Sequence, residues 1–263
     1  MRPIWKHAPL AVALCLLTRP LLAADGILIV EKTTTGGTAK TSQVQIEKTR
    51  MRAESEGANG AKTIVVFDGG AQIMRMIDVE KKSYMEMTKA DVDRAGAQMA
   101  GAMAQMQEQM KNLPPAQRAQ MEAMMKNMPG MAAPAKTEYR KTGTAQVGKW
   151  TCDKYDGYQN GQKTSEICTV DPKVLGFGMA DFQVTQQLSE FFQKLMPQQA
   201  EQMFSLGRND PQGFSGVPVR RVLTILGRET VVELTDVSRQ TFADSTYAVP
   251  QGFQKTAFGP PGR

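Results

Sequence analysis

The sequence contains a single histidine, His7, so any histidine chemistry depends on whether that residue survives processing. Residues 1–24 have the basic start, short apolar run and small-residue end of a secretory signal peptide. The apolar run is too short to cross a bilayer as a helix. Cleavage near Ala24 removes His7, and the exported chain then lacks the histidine needed for Ser-His or Cys-His catalytic pairs and for zincin motifs.

Neither sign of charge dominates the exported chain. Removing Arg2, Lys6 and Arg19 with the signal peptide lowers the formal net charge from +6 to +3, and the remaining basic residues are spread along the sequence. This distribution and the predicted periplasmic location give no support for nucleic-acid binding. The remaining length suits one domain, which we place at residues 25–256, followed by a disordered tail over 257–263.

Cysteine is also scarce, because cleavage removes Cys15 and leaves only Cys152 and Cys168. An even pair in an exported chain is typical of a disulfide, and this pair lacks the Cys-x-x-Cys spacing of a redox site. The two cysteines lie on the arms of a predicted hairpin that turns at Asn160-Gly161. A two-residue turn leaves them one position out of register, so we expect an odd-numbered loop or a one-residue bulge that lets them face each other.

Short strands separated by turn residues account for most of the chain. Alternating or β-branched runs predict strands over 26–87, again over 138–170, and in a last hairpin over 217–237. The short turns favour antiparallel pairing. Apolar spacing and a starting proline predict two helices, over 181–196 and 197–206. We therefore predict an α+β, mainly β fold with one antiparallel sheet of about ten strands.

Leucine is nearly absent from residues 88–131, a segment rich in Ala, Gln, Met and Glu. These residue types favour helix, and Pro114-Pro115 and Pro129-Gly130 end two helical runs, which predicts an inserted helical hairpin. Its methionines recur at intervals of three and four residues and so share one face of each helix. We assign ligand binding to eight of them: Met99, Met103, Met106, Met110, Met121, Met124, Met125 and Met128.

Three interpretations of these methionine faces stay open. Helical spacing of apolar residues usually indicates ordinary core. Methionine is unbranched and polarisable and recurs on surfaces that adapt to varied apolar partners, so the hairpin could form a lid or groove for a hydrophobic ligand. Thioethers can also hold Cu(I), although the exported chain has no histidine or free cysteine to assist them.

No arrangement of the other residues predicts catalysis. The sequence Gly213-Phe214-Ser215-Gly216 is not a nucleophile elbow, because its second glycine comes one place early. Paired carboxylates such as Asp153 and Asp156 are typical of solvated strand positions. We therefore predict no catalytic residues, no metal ligands and no cofactor, with an enzyme that uses carboxylates alone as a minor alternative.

Four stretches resemble a bacterial family of exported proteins, the domain of unknown function 4412: GKWTCDKY at 148–155, NGQK at 160–163, CTVDP at 168–172 and YAVPQGF at 247–253. The resemblance covers residues 137–256. It implies the fold of lipoprotein carriers, a curved antiparallel sheet that forms an open half-barrel, with helices over its mouth and an apolar cavity beneath them. The family has no established catalytic residues, so the resemblance implies none here.

These features predict a non-enzymatic periplasmic binding protein for a hydrophobic partner. The partner would be a lipid, a lipidated protein or an apolar segment, held in a sheet cavity under the methionine-rich lid. One alternative is an envelope assembly module that docks another protein without a small ligand. Another is Cu(I) binding by the hairpin. Such partners are compatible with peripheral membrane contact, and the sequence does not define an oligomeric state.

Overall fold

We describe the fold from a computed structural model, in which the described residues form one open, curved sheet of twelve strands and two α-helices. The predicted signal peptide, most of the second arm of the methionine-rich hairpin, the helix predicted over 197–206 and the end of the tail lie outside the described residues. The described residues are 26–57, 60–111, 113–114, 117, 137–176, 178–193, 195, 213–225 and 228–257.

The first six strands form an antiparallel meander, which confirms the prediction from their short turns. Gly36 and Gly37 connect the first two strands with φ angles of 56° and 84°, a left-handed conformation that glycine adopts most readily. The six strands are β1 (Gly26–Thr35), β2 (Thr38–Ile46), β3 (Arg50–Glu56), β4 (Lys62–Asp68), β5 (Ile73–Asp78) and β6 (Ser83–Thr88).

Five more strands form a second antiparallel meander in the C-terminal half. Asn160 and Gly161 turn with φ angles of 51° and 79°, as the Asn-Gly hairpin signal predicts. The five strands are β7 (Glu138–Val147), β8 (Trp150–Gln159), β9 (Gln162–Val170), β10 (Val217–Ile225) and β11 (Arg228–Gln240).

Antiparallel pairing of β1 with β11 joins the two meanders into one sheet, ordered β12-β6-β5-β4-β3-β2-β1-β11-β10-β9-β8-β7. The edge strand β12 (Gln254–Thr256) is parallel to β6, so the prediction of purely antiparallel pairing in about ten strands is wrong at this edge. A three-residue strand is too short to leave an alternating pattern in the sequence. The N–H of Gln254 donates to the carbonyl of Lys82 at 2.9 Å and fixes this pairing.

Two α-helices, α1 (Lys89–Lys111) and α2 (Gln183–Phe192), accompany the sheet. Helix α1 begins at a reciprocal cap: the hydroxyl and N–H of Thr88 donate to a carboxylate oxygen of Asp91, and the N–H of Asp91 donates to the Thr88 hydroxyl. It spans the residues predicted as the first arm of the hairpin, and the hairpin itself stays a prediction. Among the described residues, neither helix has the length and apolar content needed to span a membrane.

Apolar side chains collect on both faces of the sheet. Val66 and Phe67 are adjacent in β4 and therefore point to opposite faces. Phe67 belongs to the helix-covered cluster, which includes Ile27, Ile46, Met74, Trp150, Leu188 and Phe191. Val66 belongs to the C-terminal cluster, which consists of Ile64, Val66, Ile77 and Tyr247 with Val79, Tyr84, Phe242, Val249 and Phe253 packed against them.

Candidate functional site

Helix α2 covers the apolar face of the sheet in the described part of the protein. Its Val184, Leu188 and Phe191 are buried at intervals of three and four residues, as the apolar pattern of this segment predicts. The Phe191 ring meets the Phe67 ring of β4 edge to face, with centroids 5.4 Å apart. The helix also approaches the turn after β4 closely, because a Cβ at Gly69 would lie 1.9 Å from the side-chain oxygen of Gln187. A ligand chain could reach the part of this face beneath α2 only by displacing the helix.

Polar contacts at the start of this segment hold α2 in place over the sheet. Asp181 lies in the 3₁₀ turn Met179–Phe182, directly before α2, and accepts hydrogen bonds from Arg239 of β11 at 2.9 Å and from the N–H of Gly178 at 2.7 Å. Burial acts to raise the pKa of Asp181, but these donors prevail and hold it below its usual value. The ionised carboxylate therefore ties the turn to β11.

Cys152 and Cys168 lie in the same helix-covered cluster, with their sulfur atoms at bonding distance, 2.16 Å, and their Cα atoms 5.5 Å apart. This geometry is compatible with the predicted disulfide. The expectation that a bulge lets them face each other directly is wrong. The bulge at Gly157/Tyr158 shifts the register the other way, so Cys168 pairs with Lys154, and the two cysteines are diagonal neighbours.

Helix α1 differs from α2 because only its first two turns are buried. Val92 and Gly96 are its buried residues, and no residue from 97 to 111 is buried. A helix of this length extends about 35 Å. Most of it therefore extends beyond the part that packs against α2 and β6.

The methionines continue the face by which α1 is docked. Val92, Gly96, Met99 and Met103 are spaced 4, 3 and 4 residues apart, and Met106 and Met110 extend the same spacing. Met99 is 47% exposed, and the other three are half-buried. We call Met99, Met103, Met106 and Met110 the methionine face of α1. The structure thus brings together four of the eight predicted binding methionines, while Met121, Met124, Met125 and Met128 lie outside the described residues.

A small pocket lies beside Cys168 on strands β7 to β10. Its volume is about 150 Å³, and its lining includes Lys154, Glu166 and Arg220. Pockets for drug-sized ligands occupy roughly 300–1,000 Å³, so this pocket is too small and too charged to hold a lipid chain. The described residues also contain no group of three or more His, Cys, Asp or Glu side chains placed to hold a metal ion.

The role of the C-terminal segment escaped the sequence analysis. Tyr247 is buried against the sheet, and the guanidinium of Arg50 lies 4.5 Å from the centre of its ring. Burial raises the pKa of the Tyr247 phenol above its usual value. Arg50 also forms ion pairs with Glu47 and Asp244, both at 2.7 Å. The sequence signal for this segment is the apolar spacing of residues 247–253. That spacing does not indicate on which strand the segment packs.

Residues 88–253 match the model of the family described as Domain of unknown function (DUF4412). The match covers more than half of the chain, and the protein belongs to this family. The matched region starts at residue 88, so it is longer than the resemblance over 137–256 and includes α1. No curated protein matches the chain.

Several solved structures resemble the chain distantly. An uncharacterized conserved protein from Thermus thermophilus is 8% identical, with 89% of this chain and 91% of that chain covered and a TM-score of 0.44. The Pseudomonas aeruginosa MucA/MucB complex is 12% identical, with 85% and 55% covered and a TM-score of 0.36. A DUF1329 family protein from Desulfovibrio piger is 7% identical, with 86% and 90% covered and a TM-score of 0.20. These similarities are too distant to support a functional argument.

Proposed function

We propose that the protein is a non-enzymatic periplasmic binding protein and that the methionine face of α1 contacts its apolar partner. The observation that carries this proposal is the continuity of one helix face. That face is buried at Val92 and Gly96, and from Met99 onward its residues are half-buried or exposed.

The chemistry of this face suits a partner that varies in shape. Methionine has three rotatable bonds and a polarisable sulfur, so a row of methionines adapts to different apolar surfaces at little cost. Leucine and phenylalanine, which pack α2, are absent from residues 97–111. A face built for permanent packing would be expected to use the residues that α2 uses.

The methionine face is also easier to reach than the sheet. The apolar side of the sheet is already occupied by Leu188 and Phe191, which are 4% and 0% exposed. Binding beneath α2 requires this helix to move, whereas Met99 is 47% exposed and its neighbours on the methionine face are half-buried. We therefore place the first contact with a lipid, a lipidated protein or an apolar segment on α1.

The test compares two triple variants of the exported chain. Replacing Met99, Met103 and Met106 by glutamine removes the apolar surface, while replacement by leucine keeps it, and both residues favour helix. Binding of the uncharged apolar dye N-phenyl-1-naphthylamine is followed by fluorescence. We expect the glutamine variant to lose affinity about tenfold or more and the leucine variant to bind nearly as the parent does.

A matched control is Met76→Gln, because Met76 is 39% exposed and lies on strand β5 and not on α1. This variant should bind the dye as the parent does. Unchanged binding by the glutamine triple variant would show that α1 is not the contact surface. Loss of binding in the leucine variant alone would indicate a role for the thioethers themselves, and a Cu(I) titration of both variants then tests copper binding.

The proposed location has its own test. Expression of the full sequence in a bacterium should give a periplasmic protein that begins at Ala24 or Asp25 and carries no lipid. N-terminal sequencing and intact-mass measurement check this expectation. A membrane-bound protein that retains Met1 would contradict it.

A further inference from the structure

The methionines of this protein divide into protected and accessible groups. Met74 and Met87 lie in the helix-covered cluster and are 7% and 8% exposed. Met99 is 47% exposed on α1, and Met103 and Met106 are half-buried on the same face. A soluble oxidant therefore reaches these three methionines of α1 more readily than it reaches Met74 and Met87.

Oxidation changes the property on which this face depends. The thioether sulfur takes one oxygen atom from hydrogen peroxide and loses two electrons, and the peroxide leaves as water. The product is a sulfoxide, which is polar and chiral and accepts hydrogen bonds. Three sulfoxides along one side of α1 would replace a continuous apolar strip by a hydrated one.

We propose that Met99, Met103 and Met106 form an oxidation-sensitive switch, in which sulfoxide formation releases the apolar partner without unfolding the protein. This inference rests on the proposed function, because it assigns a regulation to the same surface. The structure explains why oxidation would release the partner without unfolding the protein. The oxidised residues lie on a part of α1 with no buried side chain, whereas Met74 and Met87 remain protected in the core. Methionine sulfoxide reductases of both stereochemical classes, supplied with a dithiol reductant, would reverse the reaction: the dithiol is oxidised to a disulfide and the sulfoxide oxygen leaves as water.

The first measurement is the rate of oxidation of each methionine in the folded, exported chain treated with hydrogen peroxide. Trypsin cuts after Arg94 and Lys111, so the peptide 95–111 carries the α1 methionines, and the peptide 63–75 carries Met74 alone. With each rate divided by the number of methionines in the peptide, four in 95–111 and one in 63–75, we expect the α1 peptide to gain oxygen about tenfold faster than the Met74 peptide. Equal rates in the folded protein would overturn the proposal. As a reference, the protein is oxidised in denaturant and then digested. All its methionines are then exposed and should oxidise at equal rates.

The second measurement is binding of N-phenyl-1-naphthylamine before and after oxidation. We expect the oxidised parent protein to lose affinity about tenfold, with unchanged strand content by circular dichroism. The triple leucine variant, M99L/M103L/M106L, should keep its affinity after the same treatment. Restoration of binding in the parent by methionine sulfoxide reductases would complete the cycle.

The outcomes separate this inference from the proposed function. Dye binding that survives full oxidation of peptide 95–111 overturns the switch and leaves the proposed binding surface intact. Loss of binding by the oxidised leucine variant overturns the assignment to Met99, Met103 and Met106, because other methionines then carry the effect. Absence of dye binding before any oxidation overturns both proposals together.

Discussion

Helices α1 and α2 both place apolar side chains at intervals of three and four residues, but they use these faces differently. Helix α2 is short and buries Val184, Leu188 and Phe191 against the sheet. Helix α1 is more than twice as long and buries only Val92 and Gly96. Apolar periodicity therefore predicts the face of a helix but not whether that face is covered. In this protein the residue types distinguish the two cases, since the covered face uses branched and aromatic residues and the open face uses methionine.

The largest expected effect on the free energy of unfolding comes from the buried face of α2. Replacing Phe191 by alanine removes a fully buried ring from its contacts with Phe67 and Phe192 and leaves a cavity under α2. We expect the free energy of unfolding to fall by about 3–5 kcal/mol. The matched change on α1, Met103→Ala, should alter it by no more than about 0.5 kcal/mol, because alanine favours helix and little packing is lost.

Urea unfolding followed by circular dichroism measures both variants. Equal destabilisation by the two changes would mean that the methionine face is packed as core. That result would remove the distinction between the helices and the basis of the proposed function.

The next effect in size comes from the disulfide, which lies in the cluster that α2 covers. Replacing both Cys152 and Cys168 by serine should lower the free energy of unfolding by about 2–5 kcal/mol, because the cross-link constrains the unfolded chain. Dye binding should be unchanged, since the methionine face does not depend on this part of the sheet.

Intact-mass analysis with an alkylating reagent determines whether Cys152 and Cys168 are oxidised in the parent protein. The exported chain should show no free thiol before reduction and two after it. Two thiols that alkylate without reductant, or a serine variant as stable as the parent, would contradict the structural role of the bond.

Local chemistry explains which parts of this fold the sequence predicts. The turns at Gly36-Gly37 and Asn160-Gly161 follow from the left-handed conformations of these residues, and the strands between them follow from alternation. Helix α2 follows from its apolar spacing. The pairing of β1 with β11 joins residues about two hundred positions apart, and no local pattern records it.

The candidate site was predictable in composition but not in position. The methionine spacing predicts a shared face on α1, and the structure has that face. The partial exposure of this face depends on tertiary packing, because α2 and not the methionine part of α1 packs on the apolar face of the sheet. The direction of the bulge at Gly157/Tyr158 likewise depends on how β8 twists against β9, so the diagonal placement of the cysteines could not be predicted from their spacing.

The smallest expected effect concerns the start of α1. Hydrogen bonds from the side chain and then the backbone of Thr88 hold the pKa of Asp91 below its usual value of 3.8. Because the pKa is lowered in the folded state, this cap stabilises α1 above pH 3.8, and the stabilisation is lost as the pH falls through the folded pKa. Packing holds only the first two turns, so fraying should affect α1 before α2.

Asp91→Asn isolates this contribution, because asparagine can cap a helix but does not titrate in this range. Circular dichroism at 222 nm from pH 7 to about pH 2 should show a small loss of helix in the parent below pH 3.8 that is absent from the variant. Glu54, Glu86 and Asp181 also have lowered pKa values, but they titrate in both proteins and cancel in the difference. An identical acid profile in parent and variant would mean that the open part of α1 is held by contacts other than its cap, and the two helices would then differ less than their burial indicates.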